Sequence, residues 1–154
     1  MRELTEDERE TLARRREGFD GFVAERMPVL ADFAKGLALD EPAMIVADPQ
    51  RYLPAIDAFM RSQTILEEDR FWILTRIGYF VGEVLVQRLG GCWLLNEVPD
   101  TRSFLRYVVG SFARVENPNA MVDPFQAVFP FLIEPVGRDL TGLLAQVEAE
   151  LRRA

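Results

Sequence analysis

The chain contains no histidine and a single cysteine, Cys92. The first absence removes the commonest general base, the commonest metal ligand and the usual pH switch near neutrality. The second rules out an intramolecular disulfide and favours a reducing, cytoplasmic setting. With neither histidine nor cysteine pairs, zinc has no ligand set. Loops with the spaced oxygen ligands of a calcium site are missing. So are a phosphate loop, a GxSxG elbow and a dinucleotide fingerprint. No cofactor and no metal are therefore expected. Long apolar runs are also wanting. The most apolar stretch, Phe71 to Leu89, is interrupted by Arg76, Glu83, Gln87 and Arg88, and a membrane span needs roughly 20 apolar residues. The opening "MRELTEDERE" is charged throughout, unlike a secretory signal.

What is present describes an ordinary globular chain. Its 154 residues are 49% apolar and 28% charged, which suits one domain with one core. Within that domain a helical N-terminal part is expected over about 5–62 and a helix–sheet–helix part over about 64–152. The net charge of -7 disfavours nucleic acid and anionic membranes as partners. The one tight basic run, Arg14 to Arg16, lies between Glu10 and Glu17 and reads as a solvated helix face.

Thr5 with Glu8 forms a capping box. The helix it opens carries Leu12, Phe19, Phe22 and Val23 inward. Gly18 and Gly21 weaken it, Pro28 should bend it or begin a new segment, and Gly36 offers a stop. Asp48-Pro49 starts a second helix with Asp48 as cap. Its buried stripe is Leu53, Ile56, Phe59 and Met60. Thr64 with Glu67 makes a further capping box for what should be the longest helix, ended by Gly90-Gly91. "CWLL" and "SFLRYVV" read as strands joined by "NEVPDTR", with a bulge or an interruption at Gly110 before "SFARV", which either extends this strand or forms a third. Asp123-Pro124 begins a short helix that Pro130 bends or ends. From Pro135 a final amphipathic helix follows, with Val136, Leu140, Leu143, Leu144, Val147 and Leu151 on one face. The fold class is α+β: N-terminal helices and a long central helix packed on a small antiparallel sheet, then two C-terminal helices.

On a helical wheel, Asp69, Arg76, Glu83 and Gln87 fall within about 20° of Arg76. They are expected to form one wet seam on an otherwise buried helix, with Glu83 near Gln87 and Arg76. Gly78 and Gly82 occupy the opposite face, where a neighbouring backbone could approach. Cys92 is expected to be a small buried hydrophobe. Trp93, Tyr79 and Tyr107 suit the core, whereas Trp72 flanks the seam. "VFPFLIEP", with Phe129 and Phe131, reads as a buried linker between helices or as a second docking edge.

The block "GYFVGEVLVQRLGGCW", Gly78 to Trp93, with the later "DPFQAVF", Asp123 to Phe129, resembles a pattern in small uncharacterised bacterial α+β domains. In these a Gly-Glu helix ends in Leu-Gly or Gly-Gly and a Trp-bearing strand follows. The resemblance implies a module of the adaptor, chaperone or immunity sort and singles out Glu83. The expected function is a non-catalytic protein-binding module acting through Trp72, Arg76, Glu83, Gln87, Phe129 and Phe131. The alternative is an enzyme or small-ligand receptor built on carboxylates and arginines, with Glu83 in a pocket. Homodimerisation is compatible with either.

Overall fold

The computed structural model describes residues 2–134 and 137–153. Helix α1 spans Glu6–Gly36, α2 Pro49–Ser62, α3 Arg70–Leu89, α4 Pro124–Leu132 and α5 Leu140–Arg153. Between α3 and α4 the strands β1 (Cys92–Leu95), β2 (Tyr107–Gly110) and β3 (Met121–Val122) form an antiparallel sheet in that order. The architecture is α+β. Among the described residues no helix is long and apolar enough to cross a membrane.

The capping box forms as read: Thr5 accepts from the Glu8 amide and Glu8 reaches back to the Thr5 amide. Pro28 does not divide the helix it opens. All 31 residues of α1 are continuous, so α1, not α3, is the longest element. A proline inside a helix removes one main-chain hydrogen bond. Packing on both sides of it outweighs that loss: Phe19 and Phe22 on the aromatic cluster, Leu30 and Phe33 in the core.

The second capping box, at Thr64, does not form. Residues 63 to 66 stay outside any helix, since Ile65 packs against the core and the Gln63 carbonyl accepts from Arg138 at 2.6 Å. A 3-10 turn, Glu67–Asp69, then leads into α3. Every residue of α3 from 77 to 85 is buried, and Gly90 closes it in the left-handed conformation at φ 69°. Asp48 precedes α2 as expected but gives its carboxylate to Gln87 instead of capping.

The sheet is smaller than its sequence suggests at one end and longer at the other. Residues 103 to 106 form a turn, not strand, because the Asn96 carbonyl holds the Leu105 amide at 2.8 Å. Leu105 adopts φ 65° there. Gly110 ends β2, the interruption and not the bulge of the two expected forms: it pairs regularly with Cys92 and Met121, and "SFARV" leaves the sheet. Met121–Val122 supplies the third strand in its place. Asp123 caps α4 through the amides of Phe125 and Gln126. Pro130 lies inside α4, which continues to Leu132. Of the expected stripe on α5, Leu140, Leu144, Val147 and Leu151 are buried; Pro135 and Val136 lie outside the described residues.

Candidate functional site

Glu83 is 2% exposed, so the wet seam is overturned at its centre. Its carboxylate accepts from Arg26 of α1 at 2.5 Å and from the Trp93 indole of β1 at 3.0 Å. A buried carboxylate is tolerable only when paired and hydrogen-bonded, and α1 and β1 supply both partners. Gly82 belongs to the same arrangement. A Cβ there would lie 2.2 Å from the Trp93 ring, so glycine seats the indole and Glu83 holds its N–H. Gly78 does likewise for Phe125 of α4, also at 2.2 Å. The space at both glycines is filled by rings, not by a neighbouring backbone.

Around this pair Phe22, Tyr79, Trp93, Tyr107 and Phe125 form an aromatic cluster with centroid separations of 4.4 to 6.2 Å. Tyr79 donates to the Phe22 carbonyl at 2.7 Å. Burial, reinforced by the Glu25 charge, pushes its phenol up to about 12. Cys92 is exposed, contrary to expectation: strand alternation turns Trp93 inward and therefore Cys92 outward.

The other seam residues separate. Gln87 is half-buried and bonds the Asp48 carboxylate and the Gln50 amide, locking α3 to the start of α2. Arg76 is half-buried, and its guanidinium lies 4.1 Å from the centroid of the Trp72 ring. Burial draws Arg76 below the ordinary guanidinium value, with the Asp32 charge opposing. Phe129 and Phe131 do not share a surface: the first is 49% exposed, the second 5%.

Exposed apolar side chains gather instead at the N-terminal end of α3. Phe71 is 79% exposed, Trp72 48%, and Leu66, Phe129 and Ile133 are close to half exposed. Phe125 at the start of α4 lies on Gly78 in the middle of α3. Just past the end of α4, Arg138 joins the carbonyls of Leu132, Glu134 and Gln63. Helix α4 therefore runs antiparallel to α3. Phe71 lies on the same stripe as Gly78, seven residues being about two turns, and Phe129 is one turn beyond Phe125. Both border the α3–α4 contact. On the adjacent side, Trp72 and Ile73 line a groove of about 610 Å³ with Phe59, Ile65, Glu68 and Asp69.

Two further clefts, of about 340 and 510 Å³, flank α5 and are lined by mixed polar and apolar side chains. Glu83 lines none of these three clefts. Among the described residues, no three Cys, Asp or Glu side chains converge as a metal would require.

The sequence reading missed Arg26 and Asp57. A signal was available for each. Arg26 lies at helical spacing between Phe22, Val23 and Leu30, and Asp57 between Leu53 and Met60. A charge inside an apolar stripe needs a partner. The Asp57 carboxylate accepts from the Leu140 amide at 2.8 Å, from Arg61 and from Thr141, and so caps α5 from α2.

Fold and site thus define an α+β protein with a structural ion pair at its centre and an apolar surface at one end of its central helix. No family model, no curated protein and no solved structure matches this chain.

Proposed function

We propose that this protein is a non-catalytic protein-binding module whose docking surface is the exposed apolar end of α3 and α4. The observation that carries the reading is the exposure of Leu66, Phe71 and Trp72 around the start of α3, with Phe129 and Ile133 exposed on and just past α4, the helix that packs on it. Exposed apolar residues scattered singly are ordinary, whereas a contiguous set marks a contact surface. Trp72 fits the role of a central anchor. Its ring is held by Arg76 on its face and by Phe33 at 6.0 Å edge-on, so little freedom is lost on binding. The single cysteine is consistent with a reducing compartment.

Of the residues expected from sequence, Trp72, Arg76 and Phe129 belong to this surface. Glu83, Gln87 and Phe131 support the fold behind it. Capture from native lysate with the full chain should recover one stoichiometric protein. The double substitution Trp72→Ala and Phe129→Ala should reduce recovery at least tenfold, about 1.4 kcal/mol, with unchanged circular dichroism. Equal recovery with the variant would remove this surface; absence of any partner alongside a detectable turnover would sink the binding reading.

A further inference from the structure

We infer that the groove beside Trp72 receives a cationic amphipathic segment of a partner, an apolar side chain entering the groove and Lys or Arg side chains meeting the turn at its rim. This rests on the binding-module reading and adds the chemistry of the occupant. The groove combines an apolar floor of Phe59, Ile65 and Ile73 with a wall of Trp72. Its rim carries Glu68 and Asp69, two of the three consecutive exposed carboxylates of the Glu67–Asp69 turn.

Acidic residues at the start of a helix often serve the helix itself. Here Asp69 stands at the cap position and makes no side-chain hydrogen bond to the first amides. Among the described residues, none of the three carboxylates takes part in an ion pair. The neighbouring arginines are engaged elsewhere. Arg61 pairs with Asp57 and Asp139, Arg76 covers Trp72, and Arg138 donates to main-chain carbonyls. Among the described residues, Arg70, half-buried in the first turn of α3, is the cation next in sequence to the three carboxylates. The local charge stays negative, in the same sense as the net -7 of the chain.

That balance selects the occupant. A second copy docking by the same face would bring two such turns together, six carboxylates around one apolar contact. An anionic lipid surface would be repelled as well. A segment with leucine or phenylalanine on one face and Lys or Arg on the other satisfies both the groove and its rim, and opposite charge would speed its encounter.

The test uses the full chain and an 18-residue helical peptide with Leu on one face and Lys on the other. The comparison peptides carry Glu for Lys, or Ser for Leu. Binding is read from Trp72 fluorescence and from calorimetry. The Leu/Lys peptide should bind, and more weakly as salt rises. Reversing the turn (Glu67→Lys, Glu68→Lys, Asp69→Lys) should weaken it at least tenfold. The same reversal remote from the groove (Glu6→Lys, Asp7→Lys, Glu10→Lys) should change it less than threefold. Trp72→Ala should weaken it without unfolding the chain, and the milder pair Glu68→Gln with Asp69→Asn should give an intermediate loss.

Equal weakening by the two reversals, or equal binding of the Glu peptide, would overturn the inference. So would a dimer, seen by sedimentation, that Trp72→Ala dissociates. A lysate partner lost on Trp72→Ala with Phe129→Ala, yet indifferent to reversal of the turn, would overturn this inference and leave the binding module standing.

Discussion

Glu83 shows how one carboxylate can look functional in a sequence and be structural in the fold. Its two partners are not equivalent. Trp93 is buried, whereas the Arg26 side chain is 27% exposed. Removing Arg26 leaves a buried charge with one indole N–H, a situation that costs about 3 kcal/mol. Glu83→Gln keeps an acceptor for Trp93 and frees an arginine that can turn to water, so it should cost about 1 kcal/mol. Urea denaturation of Arg26→Ala, Glu83→Gln and the double variant should show that order and a non-additive sum; equal costs would contradict the asymmetry. Asp57 gives a pH-dependent counterpart. Burial opposes its charge, but the Leu140 amide, Arg61 and Thr141 together hold it below the ordinary carboxylate value. A depressed folded value stabilises above the unfolded value of about 3.9 and loses that contribution as pH falls through the folded one. The stability gap between wild type and Asp57→Asn should thus be about 1 kcal/mol at neutral pH and close as pH falls from the unfolded carboxylate value through the lower folded one.

At the scale of elements, the glycines of α3 and α1 look alike in sequence and differ in consequence. At Gly82 and Gly78 a methyl group would enter a ring from a neighbouring element. Overpacking of that kind costs about 1–3 kcal/mol, and Gly82→Ala should also detach the Trp93 N–H from Glu83. At Gly21 nothing lies within 4 Å of an added Cβ, so Gly21→Ala should stabilise α1 by about 0.5–1 kcal/mol. Thermal unfolding of the three variants checks both signs. The helical period located both α3 glycines on one face, because that periodicity is local. It could not say what fills the space, since Trp93 and Phe125 arrive from a strand and a helix later in the chain. The strands were legible only where alternation survives, at Cys92–Leu95 and Tyr107–Val109. The turn at 103 to 106 is set by Asn96 across the loop, and no pattern within "SFLR" records it.

Over the whole molecule, surface charge and exposed apolar area divide the work. The two tryptophans report on this directly: Trp72 is half exposed and Trp93 buried. Acrylamide should quench one emission component readily and the other poorly, and a bound partner should protect the first. Uniform quenching, or protection of neither, would contradict docking at the end of α3.

Composition and local period were enough for the α+β class, the helix starts at Thr5, Asp48-Pro49 and Asp123-Pro124, and the left-handed close at Gly90, because each depends on residues within a few positions of one another. Burial of Glu83, exposure of Cys92 and Phe129, and the separation of Arg76 from Gln87 were decided by tertiary structure. Each turns on which distant side chain arrives: Arg26 from 57 residues away, Trp93 folded back from β1, Asp48 reaching Gln87. A helix wheel assigns faces to a helix; only its neighbours determine which of those faces meets water.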